Sequence, residues 1–298
     1  MPMAEAAAPV VTAAPVGRPS DARLLWGQFR HQNLLLRRTP ISAFFSLVFP
    51  LFFLVMLLAL LGNETVDSRN GIRLAQLITP GVVVFGVLSS TYTNLAITVP
   101  ITRDEGILKR ILATPLPRWI YVAGRIGSAT WFAIVGTVIM VTVAVLFFDV
   151  QLVARLVPAM LVTLVVGAVC MCALGLAVGS LAPSGDSAPA LANATFLPVA
   201  FVSGLFFPVD DAPQWVQTLG DIFPVKHFAE ALQAGFDANI KGPGFQWADL
   251  AVIVLWGLLG AIVAVRRFSW EPKAPRSPGS RGGGRRRARE VAIEPNVD

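Results

Sequence analysis

Long apolar stretches separated by short polar segments dominate the chain. Six of these stretches are long enough to cross a hydrocarbon core of about 30 Å, which takes about 20 helical residues. They cover residues 41–62, 77–100, 121–148, 156–182, 188–208 and 248–265. The fourth and fifth are separated only by PSGDS at residues 183–187, which is typical of a tight turn between antiparallel helices. The pattern predicts an all-α, polytopic membrane protein with six transmembrane helices.

Composition and charge support a membrane protein and give it an orientation. Hydrophobic residues make up 55% of the chain and charged residues only 14%, against about a quarter charged in soluble domains. Lys and Arg are retained on the cytoplasmic side of membrane proteins. If both termini are inside, 19 of the 24 Lys and Arg residues fall on inner segments. We therefore predict a multi-pass protein of the inner or plasma membrane with both termini cytoplasmic.

The segments around the apolar stretches differ in character. Residues 1–20 are rich in Ala, Pro and Val and predict a disordered cytoplasmic tail. Residues 21–40 place most apolar side chains on one helical face, which predicts an amphipathic helix in the inner membrane interface. This helix is a simple anchor, a platform for a cytoplasmic partner, or both. After the membrane domain at 41–267, the Arg-rich segment 268–298 predicts a second disordered cytoplasmic tail, attracted to anionic lipid.

The segment 209–240, between the fifth and sixth spans, is too polar for a span and too apolar for a free loop. It predicts two short external helices packed at the membrane interface, the first capped by Asp210 or Asp211 and the second beginning after Pro224. Their predicted apolar faces consist of Trp215, Val216 and Leu219 in the first helix, and of Phe228, Ala231 and Leu232 in the second.

The residues that chemistry would need are largely missing. Proton- or ion-coupled carriers need ionisable groups at membrane depth. Within the six predicted spans the only acidic or basic side chains are Arg125 and Asp249, each within about one turn of a boundary. The two histidines, His31 and His227, are predicted on opposite sides of the membrane, so no nucleophile has a partnered base. His227 stands without Cys, Asp or His at ligand spacing, and we expect it to pack or lie at the surface. No catalytic residue, metal or cofactor is therefore assigned to this chain.

The chain also lacks the G-x-x-x-x-G-K-[ST] loop that cradles nucleotide phosphates, so energy for any transport must come from a partner. Its spans do carry uncharged polar positions, which in lipid either bond across helices or line a cavity. Both readings stay open for the candidate substrate path, which consists of Ser90, Asn94, Asn193 and Thr195. Gly175 and Gly179 form a G-x-x-x-G spacing, which predicts close helix packing within the chain.

A charged segment, RDEGILKRILATPLPRW, lies between the second and third spans at residues 103–119. Acidic residues at its start and basic residues nearer its end match a helix dipole, and Glu105 and Lys109 form an i,i+4 pair in the favourable order. We predict a short cytoplasmic helix within 101–118, attached to two spans without slack, so that a push on it moves both. The alternative is an ordinary solvated interfacial helix.

Two motifs resemble the ABC-2 type permease family. Residues of the loop after the second span match its signature: Arg103, Glu105, Gly106, Leu108, Leu112, Thr114 and Pro115. Residues 202–232 look like its second hallmark, in which Ser-Gly and Pro precede Pro-x-Trp and then a Pro with aromatic residues. The resemblance covers residues 21–265, and within the family the chain most resembles the daunorubicin-resistance type of drug-export permease.

The resemblance implies a permease that dimerises and pairs with two separately encoded ATP-binding subunits, which bind the ATP and Mg. The loop at 101–118 would be the coupling helix seated in a groove of each ATPase, and the helix before the first span would also touch that subunit. The coupling residues implied are Arg103, Asp104, Glu105, Gly106, Leu108, Lys109, Arg110, Leu112, Thr114 and Pro115.

The expected function is outward transport of an amphipathic drug-like or lipid-like substrate, with membrane lipids as further partners and no nucleic acid. Alternatives are a polysaccharide or lipid-conjugate ABC exporter, an ion-coupled secondary carrier, and a membrane scaffold or immunity protein without transport.

Overall fold

The computed structural model describes residues 20–38, 40–61, 65–66, 72–206, 212–237 and 239–272. The predicted tails at 1–20 and 268–298 lie almost entirely outside these residues, as do the predicted caps Asp210 and Asp211. The helices are α1 Asp21–Arg38, α2 Pro40–Leu61, α3 Leu74–Leu88, α4 Asn94–Asp104, α5 Ile107–Leu112, α6 Arg118–Phe148, α7 Val157–Leu181, α8 Ala188–Val202, α9 Gln214–Ile222, α10 Pro224–Gln233 and α11 Trp247–Arg267.

The predicted helical fold class is confirmed for the described residues. The strands among them are two-residue segments, β1 Thr65–Val66 and β2 Ile72–Arg73, which pair antiparallel with Thr65 opposite Arg73. Beside that pair, Arg73 on β2 forms an ion pair with Asp149 after α6, with Nη1 and Oδ2 2.6 Å apart.

Four helical segments among the described residues are long and apolar enough to cross a membrane: Leu74–Asp104, Arg118–Phe148, Ala154–Leu181 and Trp247–Arg267. They coincide with the second, third, fourth and sixth predicted spans. Shorter apolar helices, Leu47–Leu60 and Ala188–Val202, fall on the first and fifth. The described chain is thus a helical membrane protein, and the count of six spans stays a prediction.

The second predicted span is one continuous helical rod with an internal irregularity. A π-helical turn, Ser89–Thr93, joins α3 to α4. The sequence predicted that Pro100 ends this span, but the helix continues to Asp104 with Pro100 buried inside it. Proline removes a backbone hydrogen bond, and the close packing of α4 along α7 offsets that loss.

Two glycines of α7 allow this close approach. A Cβ at Gly175 would lie 2.5 Å from the carbonyl oxygen of Tyr92, and one at Gly179 would lie 3.2 Å from that of Ala96. The G-x-x-x-G spacing therefore packs α7 against the second-span helix of the same chain, as predicted.

Two short helices, α9 and α10, occupy the segment before α11. Helix α10 buries the predicted face formed by Phe228, Ala231 and Leu232, and a Cβ at Gly167 of α7 would lie 2.4 Å from the Phe228 ring. The apolar face predicted for α9 is not buried within the described chain, because Trp215 and Leu219 are both exposed. Helix α10 ends near the start of α7, since a Cβ at Gly235, just after α10, would lie 2.0 Å from the Met160 side chain.

Candidate functional site

Arg103, the penultimate residue of α4, is a buried cation with only 1% of its surface exposed. Its Nη1 donates to the carbonyl oxygen of Ala182 at 3.2 Å, and its Nη2 donates to that of Pro183 at 3.3 Å. Both carbonyls lie just beyond the C-terminus of α7, where the helix dipole favours a positive charge. The planar guanidinium therefore joins the end of α4 to the end of α7.

Asp104 completes this attachment with both oxygens of its carboxylate. Its Oδ1 accepts a hydrogen bond from Arg103 Nε at 2.9 Å, and its Oδ2 accepts one from the Gly185 backbone N–H at 2.6 Å. Ser184 and Ser187 hydrogen-bond to each other and close the turn at 182–187 between α7 and α8. Arg103 and Asp104 together, called the clamp below, fasten the α7–α8 turn to the end of α4.

The structure divides the predicted coupling segment differently from the sequence. Asp104 ends α4 instead of opening the next helix, and Gly106 adopts φ +72°, a left-handed conformation that interrupts the chain path. Glu105 follows α4 as its C-cap, so it too lies outside the next helix. The helix dipole argument therefore holds for neither acidic residue, and Glu105 and Lys109 do not form an i,i+4 pair on one helix. The short helix that follows, α5, spans only Ile107–Leu112.

The ten predicted coupling residues fall into an outward and an inward group. Glu105, Lys109, Arg110, Thr114 and Pro115 are exposed. Leu108 is fully buried, while Gly106 and Leu112 are half-buried. Arg103 is buried, whereas Asp104 is exposed but binds the turn, so both make their contacts within the chain.

The end of α5 is set by one side chain. Thr114 Oγ1 donates to the carbonyl oxygen of Ile111 at 2.6 Å and accepts the backbone N–H of Leu116 at 3.4 Å. The chain then passes Pro117, the residue before α6. Helix α5 therefore joins α4 and α6 through short turns.

A second buried cation, Arg125, joins α6 to α4. Its Nη1 donates to the hydroxyl of Tyr121 at 2.9 Å and its Nη2 to Thr98 Oγ1 at 2.5 Å. Its guanidinium carbon also lies 5.8 Å from the centre of the Tyr121 ring, within cation–π range. The sequence reading missed this role, although the signal was present in the threonines spaced four apart on α4, Thr98 and Thr102.

The four candidate substrate-path residues separate in the structure. Ser90 is buried and donates to the carbonyl oxygen of Gly86 at 2.9 Å, so its hydroxyl is satisfied within its own helix. Thr195 on α8 hydrogen-bonds to the Tyr92 hydroxyl at 2.6 Å and links α8 to the π-helical turn. Asn94 is half-buried and Asn193 is exposed.

An apolar cavity of about 190 Å³ lies beside this Tyr92–Thr195 pair. Its described lining includes Thr195 but not Ser90, Asn94 or Asn193. The lining comes from the second-span helix, α7, α8, the start of α10, α11 and the residue that joins α9 to α10: Leu88, Tyr92, Met171, Leu174, Val178, Thr195, Phe196, Val199, Phe223, Pro224, Val225 and Trp256.

A polar cluster lies at the opposite end of α7 from the clamp and corrects one sequence expectation. His227 was expected to stand alone, but its Nδ1 lies 2.8 Å from Asp249 Oδ1 and its Nε2 lies 2.9 Å from the carbonyl oxygen of Asp221. Asp249 stands 22 residues further along the chain on α11. The folding of α10 against α11 brings these residues together, which no local spacing could indicate.

The family profile of the ABC-2 type transporter matches residues 23–236. The chain belongs to the ABC-2 type transporter family. The match spans the clamp, α5 and the paired helices α9 and α10. ABC-2 family members are the transmembrane subunit and not the ATPase, so an ABC ATP-binding partner is implied.

Relatives of this ABC-2 chain are membrane permeases. The inner membrane transport permease YadH of Escherichia coli K12 is 22% identical over 194 residues, covering 64% of this chain and 75% of YadH. The probable multidrug ABC transporter permease YbhR of the same strain is 25% identical over 159 residues, 53% of this chain and 41% of YbhR. The putative transport permease YvfS of Bacillus subtilis is 22% identical over 176 residues, 59% of this chain and 70% of YvfS. The family predicted from the two motifs is confirmed, and the daunorubicin-resistance type stays a prediction.

Proposed function

We propose that this chain is the permease of an ABC exporter that moves an amphipathic drug-like or lipid-like substrate outward, driven by a separate ATP-binding subunit. The observation that carries the proposal is the two-sided coupling segment. Its outward group is exposed for a partner, while its inward group binds the ends of two other helices. A contact with the exposed side of this segment is thereby transmitted into the membrane domain.

The path of that transmission follows from the contacts. The ATPase meets the exposed charges of Glu105, Lys109 and Arg110, and buried Leu108 holds α5 against the membrane domain. The clamp carries displacement of α4 to the α7–α8 turn, while Arg125 carries it to α6. Four helices then respond to one contact, as alternating access requires.

The proposed assembly contains two permease copies and two ATPases, which bind the ATP and Mg. In each permease the shorter apolar helices complete six spans, both termini are cytoplasmic, and α9 and α10 lie at the outer interface. Helix α1 packs along α6, where a Cβ at Gly124 would lie 2.5 Å from the Gln28 side chain. In the proposed assembly, α1 is a second contact for the ATPase.

The cavity beside Tyr92 and Thr195 supports an amphipathic substrate, because its lining is apolar apart from those two hydroxyls. The name of YbhR, a probable multidrug permease, is consistent with efflux and drug resistance. A polysaccharide or lipid-conjugate exporter shares the same architecture and remains the second candidate.

The test is reconstitution of the permease with its ATPase, followed by substrate-stimulated ATP hydrolysis and transport. We expect Glu105→Lys combined with Lys109→Glu to lower stimulation about tenfold, because both exposed charges are reversed. Membrane insertion should be unchanged. Lys241→Glu, an exposed charge reversal before α11, is the matched control and should keep wild-type coupling.

Wild-type stimulation in the double variant would contradict the proposed contact. Transport that survives ATP depletion but stops when the ion gradient collapses would favour a secondary carrier. Failure to purify with any ATPase would favour a scaffold or immunity protein.

A further inference from the structure

The polar cluster at the outer end of α7 has the composition of a cation site. His227 and Glu230 stand three residues apart on α10, and Asp249 lies in the first turn of α11. One potential ligand atom from each residue lies within 4.8 Å of the other two. The set combines an imidazole nitrogen with two carboxylates, the donors that divalent transition metals accept in proteins.

The His227 ring is oriented for ligation. A carbonyl oxygen can only accept a hydrogen bond, so the 2.9 Å contact with the Asp221 carbonyl places a proton on Nε2. The other nitrogen, Nδ1, then faces Asp249 Oδ1 at 2.8 Å, so two lone pairs would oppose each other unless a proton or a metal cation lies between them. Metal-ligating histidines commonly donate their second N–H to a backbone carbonyl, which fixes the tautomer.

The surrounding charges attract a cation. Lys226 is the neighbouring positive group, but its Nζ binds the Asp221 carboxylate at 2.5 Å and stands 3.8 Å from Glu230. Burial lowers the pKa of His227, yet the contacts with Asp249 and the Asp221 carbonyl, together with the nearby carboxylates, leave that pKa raised. The pKa of Glu230 is also raised, by burial and then by the Asp249 charge, against the opposing effect of Lys226.

We propose that His227, Glu230 and Asp249 bind a divalent transition-metal ion of the Zn²⁺ type. Three protein ligands leave a coordination position for water, as in other open zinc sites. Zinc–ligand distances of about 2.0–2.2 Å require the Nδ1–Oδ1 pair to open by about half an ångström. The bound ion would join α10 to the start of α11, and through the His227 contact it would also hold the end of α9.

The experiment titrates zinc chloride alone into the full-length chain in detergent, stripped of metal with a chelator. The affinity tag must contain no histidine, because histidines in the tag would bind zinc themselves and the chain has only His31 and His227. We expect one ion per chain by calorimetry and a higher melting temperature with zinc. Cobalt substitution should give the visible absorption bands of a low-symmetry nitrogen and oxygen site.

Variants separate this site from general surface binding. His227→Ala and the isosteric Asp249→Asn should each weaken zinc binding at least about tenfold. His31→Ala removes the other histidine, which is exposed on α1, and should leave zinc binding unchanged. Circular dichroism and gel filtration check that each variant is folded, and Glu230→Gln provides a third isosteric change.

Two outcomes overturn the proposal. One is wild-type protein without saturable zinc binding, which would make the cluster a hydrogen-bonded link between α10 and α11 only. The other is wild-type zinc affinity in folded His227→Ala and Asp249→Asn. Neither outcome bears on the ATPase contact, which lies at the other end of α7.

Discussion

Arg103 belongs to the segment that the sequence predicts to contact an ATPase, yet its side chain is buried within the molecule. It donates to two carbonyl oxygens and one carboxylate, which uses the rigid fork of its guanidinium. A residue type shared by a family motif can therefore serve the subunit's own architecture rather than its partner.

Replacement of Arg103 should destabilise the chain before it affects any partner. Arg103→Ala removes the charged donor that binds the Ala182 and Pro183 carbonyls, and a hydrogen bond to a charged group contributes about 1.5–3 kcal/mol. Arg103→Lys should cost less, because an ammonium reaches one acceptor. The measurement is the melting temperature in detergent. Exposed Arg110→Ala is the control, expected within about 0.5 kcal/mol of wild type, and equal melting of all variants would exclude a structural role for the clamp.

The close packing of α7 at Gly175 gives a second prediction for a single residue. Gly175→Ala should lower stability by about 1–3 kcal/mol, because the new Cβ meets the Tyr92 backbone and one helix must move. Gly27→Ala on α1 is the matched control. Its Cβ has no neighbour within 4 Å, so it should be neutral or stabilising by up to about 1 kcal/mol. A melting temperature for Gly175→Ala at or above that of wild type would contradict the tight packing.

At the scale of elements, the junction between α4 and α5 is the point at which the proposed ATPase contact would be passed to the membrane domain. The two helices are separate, and the left-handed Gly106 sets the angle between them. A Cβ at Gly106 would meet nothing within 4 Å, so the conformation and not space requires glycine here.

The effect of a Gly106 substitution should therefore depend on how readily the new residue adopts the left-handed conformation, and not on the size of its side chain. Gly106→Val should cost about 1–2 kcal/mol in the left-handed region and misdirect α5, whereas Gly106→Asn should be tolerated. We expect substrate-stimulated ATP hydrolysis to fall with Val and to persist with Asn, at similar expression. Equal activity of the two variants would show that the angle of α5 does not matter.

At the scale of the whole molecule, the clamp and the His227 cluster mark opposite ends of α7. The proposed topology places the clamp end in the cytoplasm and the cluster end outside. Cysteine labelling can test this, because the two native cysteines, Cys170 and Cys172, are buried.

Thr114→Cys and Ser184→Cys should react with a membrane-impermeant maleimide only after the cells are opened, since both lie at the clamp end. Thr218→Cys, exposed on α9, should react in intact cells. Labelling of Thr114→Cys from outside would reverse the orientation and remove the ATPase contact.

The long helices were predictable because membrane spanning depends on local composition, and the buried face of α10 followed from the spacing of Phe228, Ala231 and Leu232. The direction of Arg103 was not predictable, because its partners, Ala182 and Pro183, lie about 80 residues away. The same reason hid the His227–Asp249 contact. Pro100 did not end the helix as predicted, because packing against α7 outweighs the local cost of the missing backbone hydrogen bond.

The π-helical turn at Ser89–Thr93 has a consequence for how this protein is compared with others. A π turn holds one residue more than the regular helix needs, and one residue rotates everything after it by about 100°. A helical wheel drawn through the whole rod therefore goes out of phase at Ser89, and it assigns the residues of α4 to the wrong faces of the helix. Relatives lacking that extra residue will align with a one-residue gap here, and the gap, placed correctly, restores a common face.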